Sequence, residues 1–318
     1  MISKGGKWLL FLYVAFLALL FLMCSTDLII REPEREIYQI AVIIEDVRSD
    51  NYSNFRKGMD QAAMEFNVDV HLITLYEKSD VEQQMELMER EQQDGADALI
   101  VVPADEEQVA EKPMVVPVIF IQPGFMEKTG AGDIVIDYEQ MGRRIANEIL
   151  GNMPTDASVW MLIDAAKQNG MDRRFLKGAS DVFADAGCRT RVIERDEAAG
   201  FSLSAEANGR NEKVMLLAEN AEILSEVSDM LSDNPAADGR FCGLYGRGNT
   251  VPILNDLDRG RISGICVTDD FSIGYLSVCL AVQTLEGKDN IPIMADFYYI
   301  EKENLREPEY EKLLFPIE

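Results

Sequence analysis

Chemistry-bearing residues are scarce in this sequence. It has one histidine, His71, and five cysteines, Cys24, Cys188, Cys242, Cys266 and Cys279, none of them in a C-x-x-C pair. Zinc centres and dithiol redox sites are built from such closely spaced pairs, so neither is indicated. His71 falls inside a predicted strand, away from any strand end, and reads as structural. The cysteines read as small core residues, Cys242 and Cys266 each within a strand, with a disulfide between those two as the lesser alternative. No hydrolytic or redox constellation appears, and no cofactor or metal is expected. Gly246-Arg247-Gly248-Asn249 lacks the spacing and the Lys of a phosphate-binding loop and reads as a plain turn. Positive charge is scarce as well, with 30 Lys and Arg against 56 Asp and Glu, a formal net charge of −26. So acidic a surface repels phosphate backbones, which argues against a nucleic-acid partner. Long linkers, low-complexity tracts and short-period repeats are absent too.

Charge is missing altogether from Trp8 to Thr26, a run dominated by Leu and Phe and long enough to cross a bilayer. Lys4 and Lys7 precede it, and mixed charge follows from Asp27 to Glu36, so the short amino end is expected in the cytoplasm and the bulk of the chain outside the cell membrane. An uncleaved anchor is the favoured reading, because no small-x-small cleavage site follows the run. A cleaved signal peptide and a lipoprotein signal using Cys24 are the alternatives. Phe21, Leu22 and Met23 before Cys24 fit the lipoprotein pattern poorly.

Beyond a short charged tether, hydrophobic residues are plentiful at 47%, enough for a sizeable core. Tyr38 to Ile44 is a β-branched apolar run that predicts a buried strand, followed by a helix with Phe55, Met59, Ala62 and Phe66 on one stripe. Val68 to Leu75 is a second strand, Val81 to Gln92 a second helix and Ala98 to Val102 a third strand. Strands alternating with helices in this way pair in parallel, with helices on both faces. Ligands then sit beyond the carboxyl ends of the strands. Val115 to Ile121 and Ile134 to Ile136 continue as strands, and Tyr138 to Leu150 as a helix. A second α/β series follows, with strands at Val159 to Ile163, Thr190 to Ile193, Lys213 to Leu217, Phe241 to Leu244 and Ile262 to Val267. Helices are predicted around Arg173 to Ala186, Ala221 to Leu231, Thr250 to Asp258 and Phe271 to Leu285, and a last strand over Ile293 to Ile300. Pro308 and Pro316 are expected to break any helix in the closing stretch from Glu301. The fold class is therefore α/β, two Rossmann-like lobes preceded by one transmembrane helix.

Four stretches resemble a known family. They are Asn51-Tyr52-Ser53-Asn54-Phe55-Arg56-Lys57-Gly58-Met59, then Gln93-Asp94-Gly95-Ala96-Asp97-Ala98-Leu99-Ile100-Val101-Val102-Pro103-Ala104-Asp105, then Ile136-Asp137-Tyr138-Glu139-Gln140-Met141-Gly142, and lastly Gly243-Leu244-Tyr245-Gly246 joined to Gly260-Arg261-Ile262. In this order and spacing they are similar to the type I periplasmic binding proteins, in the ribose-type branch shared with LacI-like regulators. The resemblance implies two lobes joined by a three-stranded hinge that crosses near Asp137, Thr268 and Ile291. It implies residues 1–36 as stub, anchor and tether, 37–136 with 269–290 as the first lobe, and 137–268 with 291–318 as the second.

A ligand in the cleft is implied as well. The positions matching the family's binding motifs are Tyr52, Asp105, Gln122, Asp137, Phe175, Asn220, Tyr245 and Thr268. Asp105, Asp137 and Asn220 have helix capping as an alternative role, and Tyr52 has packing. Charged residues of the family's sugar sites are replaced here by Gln122-Pro123, Phe175 and Tyr245, which argues against an ordinary pentose or hexose pocket. The implied function is an extracytoplasmic solute-binding protein that performs no chemistry. It would hold a sugar or sugar-like molecule for ABC-type uptake through a permease. The alternative is a sensing module of the same fold that signals to a partner such as a sensor histidine kinase. A cytoplasmic DNA-binding regulator is excluded, since Trp8 to Thr26 occupies the place of its helix-turn-helix.

Overall fold

The computed structural model describes residues 4–25, 37–48, 52–122, 132–203, 213–233, 239–289 and 291–315. Residues 1–37 and 38–318 form separate units. The first holds helix α1 (Lys4–Ser25), whose described apolar side chains from Trp8 to Leu22 are exposed. Among the described residues no helix is long and apolar enough to cross a membrane. The expected span continues to Thr26, beyond the described side chains.

The second unit contains two sheets. Strands β1 (Gln39–Ile43), β2 (Asp69–Ile73), β3 (Ala98–Val101), β4 (Val118–Gln122), β5 (Ile134–Ile136) and β11 (Ile293–Ala295) form the first, ordered β11-β5-β4-β3-β1-β2 and parallel throughout. The second sheet comprises β6 (Ser158–Ile163), β7 (Thr190–Glu194), β8 (Val214–Ala218), β9 (Phe241–Arg247), β10 (Gly264–Thr268) and β12 (Phe297–Ile300). Its order is β12-β10-β9-β8-β6-β7, parallel except where β12 runs against β10. Central strands such as β1, β3 and β8 are buried along almost their whole length, as continuous apolar runs covered on both faces must be.

Helices α2 (Ser53–Phe66), α3 (Val81–Asp94) and the short α4 (Glu106–Ala110) belong to the first lobe. Helices α5 (Tyr138–Asn152), α6 (Gly170–Asp185), α7 (Ala221–Asp233) and α8 (Val251–Asp258) belong to the second. Helix α9 (Asp270–Leu285) returns to pack along α2. The chain thus passes from the first sheet to the second at Asp137 and back near Thr268. The third crossing lies at Asp296 rather than near Ile291. β11 completes the first sheet beside β5, and only β12 joins the second, so the single strand read over Ile293 to Ile300 is two strands serving different sheets.

Two further readings are corrected. A helix, α10 (Pro308–Leu314), forms in the closing stretch, because Pro308 occupies its first turn, where the missing N–H costs nothing. Cys242 is exposed, because it lies near the start of β9, whose outer end is uncovered, whereas Cys266 is buried as expected. The four described cysteines are free thiols, with no disulfide between Cys242 and Cys266.

Glycines set the spacing of the helices over each sheet. A Cβ on Gly58 of α2 would lie 2.0 Å from the Phe271 carbonyl oxygen, and one on Gly274 of α9 would lie 2.0 Å from that of Phe55. The second lobe repeats the device: Gly142 of α5 meets the Phe175 carbonyl at 1.9 Å, and Gly178 of α6 meets that of Glu139 at 1.9 Å. Each helix pair therefore crosses backbone to backbone, at a separation that only hydrogen side chains permit. Replacing Gly58 or Gly142 with Ala should destabilise the protein by about 1–3 kcal/mol through overpacking. Gly151→Ala, in α5 with nothing within 4 Å of its would-be Cβ, should be neutral or stabilising by up to about 1 kcal/mol. Urea unfolding of the three variants checks this, and equal effects would show that the crossings are not the cause.

Candidate functional site

The carboxyl ends of both sheets face one another, and the loops beyond them enclose a cavity of about 160 Å³.

On the first lobe's side, Glu45 follows β1 and is 5% exposed. Its loop is pinned by the Leu75 amide donating to the Asp46 carbonyl at 3.1 Å and the Ser79 amide donating to the Glu45 carbonyl at 2.9 Å. The Tyr52 hydroxyl donates to the Glu45 carboxylate at 2.5 Å, and the Tyr52 ring meets Phe55 edge-on at 5.8 Å. Burial pushes the Glu45 carboxyl up to about 7, despite the Tyr52 hydrogen bond and the nearby Lys78. Asp270, at the start of α9, accepts from the Thr268 hydroxyl at 2.5 Å and the Asn249 amide at 2.8 Å, and burial raises its pKa as well.

The second lobe's wall is organised by Arg247, the last residue of β9. Its guanidinium pairs with the Asp172 carboxylate and donates through Nε to the Glu219 carbonyl at 2.9 Å. It lies over the Tyr138 ring at 4.9 Å and the Phe175 ring at 5.8 Å. Burial by itself would lower the Arg247 pKa, but Asp172, Tyr138 and Glu45 together outweigh it and the group is held charged. Asp172 is fully buried because it serves two elements: it forms a capping box with Asn169 at the start of α6 and it receives Arg247. The Asn220 side chain caps α7 by accepting from the Ile223 amide at 3.1 Å, and its own amide points to Asp172 at 3.5 Å. Behind them Glu219 accepts from the Asp164 amide at 2.6 Å and from Gln168 at 2.7 Å, with burial pushing its carboxyl up to about 7. Lys78 of the first lobe reaches Glu222 of α7 at 3.7 Å.

Of the residues singled out in the sequence, Tyr52, Asn220 and Thr268 line this cavity. Asp105 and Asp137 do not: each caps a helix, accepting from Gln108 at 3.0 Å and Gln140 at 2.8 Å respectively. Phe175 and Tyr245 are buried in the core, Phe175 directly beneath Arg247. The Gln122 side chain and Pro123 lie outside the described residues.

None of Glu45, Tyr138, Asp172 and Arg247 was among the positions singled out for the cleft in the sequence. Their signal was position. Glu45 follows the first strand, and Arg247 sits between glycines where another strand ends; Gly248 next to it has φ 125, closed to most side chains.

Glu45 yields a test of the electrostatics. Its folded pKa of about 7 exceeds the ordinary 4.5, so the native state binds a proton that the unfolded state releases within that window. Its contribution to stability is therefore lost as pH rises from about 4.5 to about 7. The stability of wild type relative to Glu45→Gln should fall between roughly pH 5 and 7, by at most about 1.4 kcal/mol per pH unit. Chemical denaturation across that range measures it. A flat difference would show that Glu45 ionises as freely in the fold as in water.

A family model described as a periplasmic binding protein domain matches residues 40–289. No curated protein matches the chain. Among solved structures, a carbohydrate transporter solute binding protein from Agrobacterium radiobacter in complex with D-arabinose is similar at TM-score 0.77 and 20% identity, over 88% of this chain and 99% of that one. An ABC transporter solute binding protein from Agrobacterium vitis bound with alpha-D-tagatopyranose gives 0.72 and 15%, over 88% and 100%. A putative LacI transcriptional regulator from Bacteroides fragilis gives 0.73 and 12%, over 85% and 99%. At these identities the likeness is one of fold.

Proposed function

The chain belongs to the periplasmic binding protein family, and from that premise we propose that it holds a small polar ligand, a sugar or sugar-like molecule, in the cleft between its lobes. The observation that carries this reading is the cavity at the carboxyl ends of two parallel sheets, lined from both lobes by buried groups whose orientation is already fixed by hydrogen bonds. Preset donors and acceptors recognise hydroxyls at little ordering cost, which is what a binding protein needs and a catalyst alone does not. The sugar-bound structures of the same fold support the ligand class. Closure of the lobes about the three crossings is the working motion. Delivery to an ABC-type permease is the associated role, with the run Trp8 to Thr26 as a retained anchor and the binding unit outside the membrane.

Thermal-shift and calorimetric titration against pentoses, hexoses and polyols test the reading, since a ligand that binds only the folded state raises its melting temperature. Tyr52 and Asn220 meet the ligand from opposite lobes. Tyr52→Ala and Asn220→Ala should each weaken binding by about 1–3 kcal/mol, roughly five- to 150-fold, while the domain stays folded. Unchanged affinity in both would place the site elsewhere. For the anchor, intact-mass analysis of membrane-extracted protein should show residues ahead of Cys24. A lipid-bearing amino terminus at Cys24 would replace the anchor with a lipoprotein.

A further inference from the structure

The two walls of the cavity differ in how their charges are compensated. Among the described residues, five acidic and two basic side chains line it. Both basic groups are already engaged, Lys78 with Glu222 at 3.7 Å and Arg247 with Asp172, so they neutralise acids of the second lobe. Among the described residues, Glu45 and Asp270, on the first lobe's side, have uncharged hydrogen-bond donors: the Tyr52 hydroxyl on the one, the Thr268 hydroxyl and the Asn249 amide on the other. Lys78 acts on Glu45 through space, yet burial still holds that carboxyl up to about 7, the sign of a charge short of partners. Glu45 and Asp270 both act through space on the Tyr138 phenol, as Arg247 does more strongly.

We propose that this cleft selects ligands that carry a protonated amine alongside hydroxyl groups, the chemistry of an amino sugar, with Glu45 and Asp270 receiving the ammonium. The proposal rests on the solute-binding reading above and narrows its ligand class. An anionic ligand is disfavoured, because both cations among the described lining residues are already engaged and the acids there outnumber them. A neutral sugar gains hydrogen bonds but leaves the two desolvated carboxyls to be compensated by charges at a distance or by taking up a proton, as the raised Glu45 pKa shows. An ammonium supplies that compensation at contact and makes charge-assisted hydrogen bonds to the lone pairs that the neutral donors leave open. The hydroxyls of the same molecule fall to the second lobe's wall, where Asn220 and the Arg247–Asp172 pair supply fixed polar groups.

Calorimetric titration of the protein near pH 7 compares glucosamine, galactosamine and mannosamine with glucose, galactose and mannose. Their N-acetyl forms, in which the charge is removed, and putrescine, an amine without hydroxyls, complete the panel. At least one amino sugar should bind tenfold or more tighter than its neutral parent and its N-acetyl form. Glu45→Gln should bring that ratio close to one, and Asp270→Asn serves the same purpose if the first variant does not fold. A neutral parent binding as tightly as its amino form would overturn the proposal and leave the solute-binding reading standing. Putrescine binding more tightly than every amino sugar would overturn the hydroxylated-amine class. If no sugar of either kind binds, the proposal and the reading fall together.

Discussion

Arg247 is the group on which the cleft depends. A guanidinium removed from water is tolerated only when its charge and its donors are met, and here Asp172, the Glu219 carbonyl and the Tyr138 and Phe175 rings meet them from β8, α5 and α6. Asp172 cannot move without undoing the cap of α6, and Asn220 caps α7 beside it. One buried pair thus fixes the starts of two helices and the end of a strand. Removing one partner from such a pair costs about 3–5 kcal/mol, because the other is left buried and alone. Replacing both by apolar groups is often harmless to stability, so the pair is better explained by the shape it imposes on the wall than by the energy it adds.

That wall has a fixed place in the lobe because the helices behind it cannot slide. The reciprocal contacts of Gly142 with Phe175 and of Gly178 with Glu139 set α5 against α6 backbone to backbone, and Gly58 and Gly274 do the same for α2 and α9. Each crossing lies close to the cavity end of its helices. Tyr138 precedes Glu139 at one crossing, Asp172 lies a turn before Phe175, and Asp270 stands next to Phe271 at the other. The packing device and the binding groups therefore occupy consecutive turns, which lets a rigid core hold its polar face in register without help from the loops.

The fold was legible because its signals are long and redundant. β-branched runs such as Ile40 to Ile44 and Leu99 to Val102, alternating with amphipathic helices, admit a parallel sheet and little else. The site was legible only in part, and two misses share a cause. Tyr245 was read as a ligand contact where β9 was taken to end at Leu244; the strand runs on to Arg247, and residues two apart share a face. Phe175 was read for the cleft on α6, whereas Asp172, one turn nearer the helix start, is the residue that reaches it. In both, the expected position lies one structural period deeper than the cavity lining, in the core. Strand and helix ends are where local patterns carry least information, and a cleft at the sheet edge is built from those ends. Asp105 and Asp137 show the converse: an acid before a helix reads equally as cap or ligand, and local hydrogen bonding decided for the cap.

The overall charge of −26 points the same way as the acid surplus in the cavity, but the two act at different ranges. Surface charges beyond a Debye length of about 8 Å are screened at physiological salt, so they bear on how often a charged ligand arrives and little on how tightly it stays. Selectivity in the bound state has to be written by groups inside the cavity, where the dielectric is low and each uncompensated charge counts. There the second lobe presents acids already matched by Lys78 and Arg247, while the first presents Glu45 and Asp270 held by neutral donors. The asymmetry is set by the fold itself. The Arg247–Asp172 pair closes the second lobe's account internally, and the first lobe's wall is left to be completed by whatever the cleft closes upon.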